Sequence, residues 1–140
     1  MAARMARLPW PADVIAERTA VVPVPLAAAR LRERGYNQAA LLARHLARHW
    51  GIPCWENAVA RARETPTQTR LTPSERSTNV HHAFRVDAPM QARLAGAHVI
   101  VVDDVLTTGA TLNAAAGVLF DAGARIFSYV TFGRARAAAD

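Results

Sequence analysis

The clearest hydrophobic pattern lies toward the C-terminal end of the chain, where a strand and a helix follow each other. Residues 99–102 read Val-Ile-Val-Val, a run of β-branched residues that is typical of a strand buried on both faces of a parallel sheet. We predict that this strand ends at Asp103. Apolar residues then recur at helical spacing, at Leu112, Ala115, Ala116, Leu119 and Phe120. Gly123 ends this helix, and residues 125–132 supply the next strand.

The first part of the chain predicts a strand, a loop and a helix. Residues 19–24 form the strand, and Pro25 keeps the chain extended where it leaves the sheet. Asn37 is a good N-cap for the helix that follows. The apolar positions of that helix share helical spacing, at Ala39, Leu42, Leu46 and Trp50. Gly51 ends it.

The middle of the chain is less regular. Residues 54–60 predict a second strand, and residues 83–86 predict a short further strand followed by a turn at residues 87–89. Residues 61–79 are polar and predict a long loop, interrupted by a capping box at residues 72–75. A loop of this length in a compact domain usually has a function.

Strands that alternate with helices predict an α/β fold with one doubly wound, mostly parallel sheet and helices on both faces. The chain has 140 residues, 51% of them hydrophobic, which is enough for a single domain with one core. We divide it into an N-terminal extension at residues 1–18, the folded domain at residues 19–134 and a frayed tail at residues 135–140.

The chain is basic, with a formal net charge of +6, and all 17 of its Lys and Arg positions are arginine. These arginines are scattered along the sequence, which is typical of a solvated surface, so we predict no direct nucleic-acid binding. Arginine nevertheless grips phosphate oxygens in a fork geometry. The composition therefore favours small anionic ligands.

Cysteine content and hydropathy indicate the compartment. Cys54 is the only cysteine, which excludes an internal disulfide and a cysteine-based zinc site within these residues. The arginines and prolines of the first 18 residues leave no uninterrupted apolar core for a signal peptide or a membrane span. We therefore expect a cytoplasmic protein that does not enter the membrane.

Polar chemistry follows directly on the strand at residues 99–102. Asp103 and Asp104 come first, and adjacent carboxylates suit a vicinal diol, which they reach directly or through a divalent cation. Three hydroxyl and two small residues come next, at Thr107, Thr108, Thr111, Gly109 and Ala110. The small residues leave room for a phosphate at the N–H groups that begin the helix. The alternative interpretation is that these residues are ordinary turn and helix-cap residues without a ligand. A diol site and a phosphate site together, however, match a ribose 5-phosphate.

Residues 99–111 resemble, without a gap, the phosphoribosyl-pyrophosphate (PRPP) motif of type I phosphoribosyltransferases: an apolar strand, two acidic residues, a two-residue spacer and a Thr-Thr-Gly-like loop. The wider chain resembles the ComF/GntX branch of that superfamily, at residues 21–26, 32–38, 76–79 and 83–84. The resemblance covers about residues 21–134. The cysteine-rich zinc module of typical ComF proteins has no counterpart in this sequence.

The resemblance implies a phosphoribosyltransferase, which displaces pyrophosphate from ribose C1 of PRPP with the help of Mg²⁺. Asp103 and Asp104 would be the catalytic residues and would hold the Mg²⁺ through ribose hydroxyls or water. The ribose 5-phosphate would be bound by the segment after them, namely Val105, Leu106, Thr107, Thr108, Gly109, Ala110 and Thr111. The remaining substrate contacts would come from Arg34, Gly35, Arg61, Arg63 and Arg76. Such a reaction needs no protein nucleophile.

The same resemblance implies a second class of function. A non-catalytic interaction protein of the DNA-uptake machinery would keep the PRPP-binding fold and have DNA-handling proteins of competence as partners. Whether the chain is an active enzyme, which acceptor it uses and whether it forms a homodimer stay open. Two other classes are excluded, because a phosphorelay receiver domain needs a lysine and a nucleotide P-loop needs Gly-Lys-Ser/Thr.

Overall fold

The computed structural model describes residues 2–62, 83–106 and 109–134. The elements follow one another along the chain as α1 (Ala2–Ala6), α2 (Ala12–Glu17), β1 (Arg18–Pro23), α3 (Ala28–Arg34), α4 (Gln38–Trp50), β2 (Ala60–Arg61), β3 (Phe84–Arg85), α5 (Ala88–Leu94), β4 (His98–Leu106), α6 (Ala110–Asp121) and β5 (Ile126–Arg134). The predicted capping box at residues 72–75 and the predicted tail at residues 135–140 lie outside the described residues.

The main sheet has β4 at its centre, with β1 and β5 parallel to it on either side. A fourth segment joins it beside β1, where Cys54 forms a parallel bridge with Val21. There the Val21 N–H donates to the Pro53 carbonyl at 3.0 Å, and the Trp55 N–H donates to the Val21 carbonyl at 2.9 Å. The expected parallel sheet is confirmed.

Helices cover both faces of this sheet. Since successive residues of a strand point to opposite faces, each strand contributes side chains to both layers. Val99 and Val101 of β4 face a cluster that includes Leu94 of α5 and Leu112 and Leu119 of α6. The opposite face of the sheet packs against α4 and α1, and its buried members include Val21, Ile100, Val102, Leu42, Leu46 and Met5. The doubly wound α/β architecture predicted from the sequence is confirmed.

Strand β4 is longer than predicted. It runs to Leu106 instead of ending at Asp103, because β5 continues beside it as far as the pair Leu106–Arg134. On its other side, β1 ends at Pro23, opposite Val102. Among the described strands, only β5 pairs with the stretch of β4 that carries the two carboxylates, and this stretch extends beyond the end of β1.

The predicted strand at residues 54–60 is wrong as a continuous element. Only Cys54 bridges to the main sheet, and the chain then turns, with the Ala58 N–H donating to the Trp55 carbonyl at 3.2 Å. Strand β2 is limited to Ala60–Arg61 and pairs antiparallel with β3 in a separate two-stranded sheet. The polar residues Glu56 and Asn57 coincide with the turn.

Helix α4 begins and ends as predicted. The Asn37 side chain accepts from the Ala39 N–H at 3.1 Å, and Gly51 follows in the left-handed conformation. Helix α6 is also confirmed. Four of its five regularly spaced apolar residues are buried, whereas the fifth, Phe120, is 62% exposed.

Two helices of the structure, α3 and α5, lie in segments for which the sequence analysis predicts no helix. The residues interpreted as a turn at 87–89 instead begin α5: Asp87 is its N-cap, accepting from the Met90 N–H at 3.0 Å, and Pro89 lies in the first turn. Helix α3 lies in the segment interpreted as a loop after β1, and no side chain caps its start at Ala27.

The N-terminal segment also contains helices. Met5 and Ala6 of α1 are buried against α4, within the predicted extension of residues 1–18, whose boundary stays a prediction. Among the described residues, no helix combines the length and the apolar character needed to cross a membrane.

Candidate functional site

A cleft of about 260 Å³ lies at the carboxyl ends of β1 and β4. This is the edge at which open parallel sheets bind their ligands. The lining residues come from the loop after β1, α3, the start of α4, β2, β4 and α6: Val24, Pro25, Leu26, Arg30, Arg34, Asn37, Gln38, Arg61, Asp103, Asp104 and Thr111. Three arginines and two aspartates therefore share one small cavity.

The Asp103 carboxylate is half-buried in this cleft. Its Oδ1 accepts a hydrogen bond from the Asp104 N–H at 2.9 Å. Burial raises the pKa of Asp103 to about 6, with the neighbouring Asp104 carboxyl adding to the rise, while the Asp104 N–H and the Arg61 charge act against it. A ligand that brings hydroxyl donors or a cation would favour the charged form.

Arg61 belongs to β2, and two contacts position its side chain. Its Nε donates to the Pro25 carbonyl at 3.1 Å, and its guanidinium lies 5.0 Å from the centroid of the Phe84 ring. Burial lowers the pKa of Arg61, and the Asp103 charge opposes that shift. Because an arginine stays protonated in proteins, the cleft holds a fixed positive charge near Asp103.

Helix α3 supplies the other two cations of the cleft. Arg30 and Arg34 are four residues apart and so share one face of the helix. Gly35 ends α3 at φ 78°, with its N–H donating to the Leu31 carbonyl at 2.8 Å. Gly35 does not line the cleft itself. It lines an adjoining groove of about 430 Å³, together with Tyr36 and other residues of α3 and α4.

The start of α6 forms one side of the cleft. Gly109 is the N-cap at φ 84°, no side chain caps the helix among the described residues, and Thr111 faces the cavity. Ala110, the first helical residue, is exposed. A glycine N-cap leaves space for an anion at the first turn of the helix.

Of the predicted site residues, the structure brings Arg34, Arg61, Asp103, Asp104 and Thr111 to one cavity. Val105 and Leu106 form the end of β4. Four further predicted residues lie outside the described part of the chain, namely Arg63, Arg76, Thr107 and Thr108.

Sequence reasoning missed two uncharged polar residues of the cleft, Asn37 and Gln38. The sequence predicts Asn37 only as a helix cap, although the segment Arg-Gly-Tyr-Asn-Gln that contains it is one of those that carry the family resemblance. Among the described residues, no histidine lines the cleft: His45 and His49 are exposed on α4, and His98 is buried at the start of β4, at the end of the strand opposite to the carboxylates. His81 and His82 lie outside the described residues.

The donor set decides whether a divalent cation fits this cleft. No group of three or more His, Cys, Asp or Glu side chains able to hold a metal ion occurs in the described ranges. Asp103 and Asp104 therefore offer only part of a coordination shell. Mg²⁺ characteristically uses one or two carboxylates and completes its shell with water and substrate phosphates, so the residues fit a cation that arrives with its substrate.

Comparison with known families identifies the domain. The family model of the phosphoribosyl transferase domain matches residues 31–139, which is most of the chain. That range includes most of α3, all of α4, both carboxylates and the α6 N-terminus.

Curated relatives match two thirds or more of the chain. The chain is 38% identical over 132 residues to the DNA utilization protein YhgH of Salmonella typhi, which covers 89% of this chain and 56% of that protein. It is 44% identical over 94 residues to competence protein F of Haemophilus influenzae, with 67% of this chain and 41% of that protein covered. The chain thus spans about half the length of the curated relatives that it matches.

Solved structures share the fold at low sequence identity. Glutamine PRPP amidotransferase from B. subtilis, complexed with ADP and GMP, superposes with a TM-score of 0.62 at 19% identity, covering 93% of this chain and 24% of that chain. Adenine phosphoribosyltransferase from Saccharomyces cerevisiae gives a TM-score of 0.53 at 18% identity, covering 84% of this chain and 57% of that chain. With its parallel sheet, its acidic pair and its ComF relatives, the chain belongs to the type I phosphoribosyltransferase family as a ComF-like member.

Proposed function

We propose that the cleft binds PRPP, or another ribose 5-phosphate compound, together with Mg²⁺ and supports the displacement of pyrophosphate at ribose C1. One observation carries this proposal. The carboxylates of Asp103 and Asp104 share a cavity with Arg30, Arg34 and Arg61, and the N-terminus of α6 adjoins it.

Each part of PRPP then has a chemical counterpart. Asp103 and Asp104 accept hydrogen bonds from the two ribose hydroxyls. The N–H groups at the start of α6 and the Thr111 hydroxyl bind the 5-phosphate, where the helix dipole favours an anion. Arg34 and Arg61 bind the pyrophosphate oxygens in a fork geometry.

Bound Mg²⁺ would be held by Asp103 and Asp104 with substrate oxygens, and it would neutralise charge on the pyrophosphate. The residues of the chain supply positioning and electrostatics. Arg34 and Arg61 stabilise the leaving pyrophosphate, whose negative charge grows as the bond to C1 breaks. The carboxylates offset the positive charge that develops on the sugar, and no protein nucleophile is needed.

The test of this proposal is isothermal titration calorimetry with PRPP, with and without Mg²⁺. We expect Mg²⁺-dependent binding that weakens by about a hundredfold or more in Asp103→Asn/Asp104→Asn, because two charge-assisted hydrogen bonds are replaced by weaker ones. The matched control is Asp13→Asn/Asp121→Asn, which also removes two negative charges but from exposed helix positions that do not line the cleft. Equal binding by the carboxylate variant and the control would refute the site.

A second candidate function rests on the names of the relatives. Proteins named for DNA utilization and competence match 67–89% of this chain, which supports a non-catalytic interaction protein that retains PRPP binding. Pyrophosphate release with nucleobases, amides and ammonia as acceptors separates the two functions. Tight PRPP binding without release in any reaction, together with recovery of DNA-handling proteins in a pull-down, would favour the interaction protein.

We also propose a cytoplasmic location, in which the Cys54 thiol stays reduced.

A further inference from the structure

Asn37 uses both ends of its side-chain amide. Its Oδ1 accepts from the Ala39 N–H at 3.1 Å and so caps α4, while its Nδ2 donates to the Val24 carbonyl at 3.1 Å. Val24 lies 13 residues earlier in the chain, directly after β1. The loop that contains α3 is thus closed on itself by one side chain.

This closed loop is joined to the strand that carries the carboxylates. The Val24 N–H donates to the Val102 carbonyl at 2.9 Å, and Val102 directly precedes Asp103. The next carbonyl of the loop, that of Pro25, accepts from Arg61 Nε at 3.1 Å. Two successive carbonyls at the end of β1 therefore each receive a donor from a different wall of the cleft.

We infer that Asn37 is a positioning residue, which sets the distance between the arginines of α3 and the carboxylates of β4 and so prepares the cleft for pyrophosphate. Arg34 is separated from Asn37 only by Gly35 and Tyr36. Fixing Asn37 to Val24 therefore fixes the end of α3 relative to β4. This inference rests on the proposed function, since it concerns the pyrophosphate part of the same ligand.

The identity of the side chain separates positioning from simple capping. Serine caps a helix about as well as asparagine does. A serine hydroxyl can both accept and donate, but it is a single atom on a shorter side chain. It cannot reach both the Ala39 N–H and the Val24 carbonyl, which Asn37 contacts with two separate atoms. Asn37→Ser consequently keeps α4 capped, adds no charge and releases the Val24 carbonyl.

The experiment compares the affinities of inorganic pyrophosphate and ribose 5-phosphate, both with Mg²⁺, in calorimetry. In Asn37→Ser we expect pyrophosphate binding to weaken by about fivefold, and ribose 5-phosphate binding to change by less than about twofold. A merely structural defect would weaken both. The N-cap control is Asp87→Ser at α5, away from the cleft, which likewise replaces a capping side chain with serine but also removes one negative charge.

A double-mutant cycle with Arg34→Ala tests whether Asn37 acts through α3. If it does, Asn37→Ser has little further effect on pyrophosphate binding once Arg34 is absent. Additive losses would mean that Asn37 touches the ligand itself and would overturn the inference, as would unchanged pyrophosphate binding in Asn37→Ser. If the unmodified protein binds neither probe, the proposed function fails and the inference fails with it.

Discussion

The fold places the Asp103 side chain where its charged form is unfavourable. Burial raises its pKa from an ordinary value of 3.8 to about 6, although the Asp104 N–H and the Arg61 charge both favour the ionised form. For a carboxyl whose pKa is raised by folding, the favourable contribution to stability is present below pH 4 or so and is lost as the pH rises through about 6. In the ligand-free protein, the ionised Asp103 carboxylate is therefore in an unfavourable environment at neutral pH.

Asp103→Asn should therefore stabilise the ligand-free protein in a pH-dependent way. We expect the free energy of unfolding to rise by roughly 1 kcal/mol at pH 8, a value reduced to allow for solvent screening of this half-buried group, and the gain to shrink toward pH 4. Urea unfolding at pH 4, 6 and 8 measures it. Asp121→Asn, an exposed carboxyl on α6, serves as the control. A gain of equal size at all three pH values would contradict the explanation.

For single residues, the sequence predicts which side chains carry the chemistry of the site, but not which residues those side chains contact. Asp103 and Asp104 are recognisable because they adjoin a run of β-branched residues. The contacts of Arg61 with the Pro25 carbonyl and the Phe84 ring join residues 36 and 23 positions apart, and no local pattern indicates them. The hydrogen bond from Asn37 to Val24 is equally hard to predict, because Val24 lies 13 residues earlier in the chain.

Among the elements, those with strong local signals are predictable and those without are not. Helix α4 has a capping side chain, apolar periodicity and a terminal glycine, and all three appear in the structure. Helix α3 has no capping side chain and no buried residue, so neither capping nor amphipathicity marks it. Helix α5 does carry a signal, an Asp N-cap followed by proline, which also fits a turn.

Gly35 is the position on which the end of α3 depends. Its φ of 78° is strained for any residue with a Cβ, although a methyl group added there would meet no atom within 4 Å. Gly35→Ala should therefore lower the free energy of unfolding by about 1 kcal/mol through backbone strain alone.

Gly117→Ala is the matched control for that substitution. Gly117 lies inside α6, has no positive φ and likewise has open space where a Cβ would stand. Alanine should raise stability there by about 0.5–1 kcal/mol, because glycine is a poor helix former. Thermal unfolding of the two variants should shift in opposite directions, and a shift in the same direction would contradict the assigned conformation of Gly35.

The molecule as a whole is organised by its central strand. The alternation along β4 sends Val99 and Val101 into one cluster and Ile100 and Val102 into the other, and all four are fully buried. A continuous apolar run predicts this two-sided burial, which is why the fold class is accessible from the sequence. The short antiparallel sheet of β2 and β3 cannot be predicted in this way, because strands of two residues show no hydrophobic periodicity.

Leu46 and Leu119 test the two clusters separately. Each is fully buried, on opposite faces of the sheet, so Leu46→Ala and Leu119→Ala should each cost about 2–5 kcal/mol of unfolding free energy. Since the sheet separates the two sites, the costs should add, and the double variant should be largely unfolded. Leu41→Ala, on the exposed side of α4, should change stability by less than about 0.5 kcal/mol. Urea unfolding followed by circular dichroism measures all four, and a Leu46→Ala cost as small as that of Leu41→Ala would contradict the packing.

The place of Cys54 at the margin of the main sheet makes it an internal reporter. Its thiol is half-buried beside Val21, and burial raises its pKa to about 11, so almost none of it is thiolate at neutral pH. A thiol-specific dye therefore reacts slowly until residues 53–55 detach from β1. Since no other cysteine competes for the dye, its labelling rate reads out how often this margin of the sheet opens, without any change to the chain.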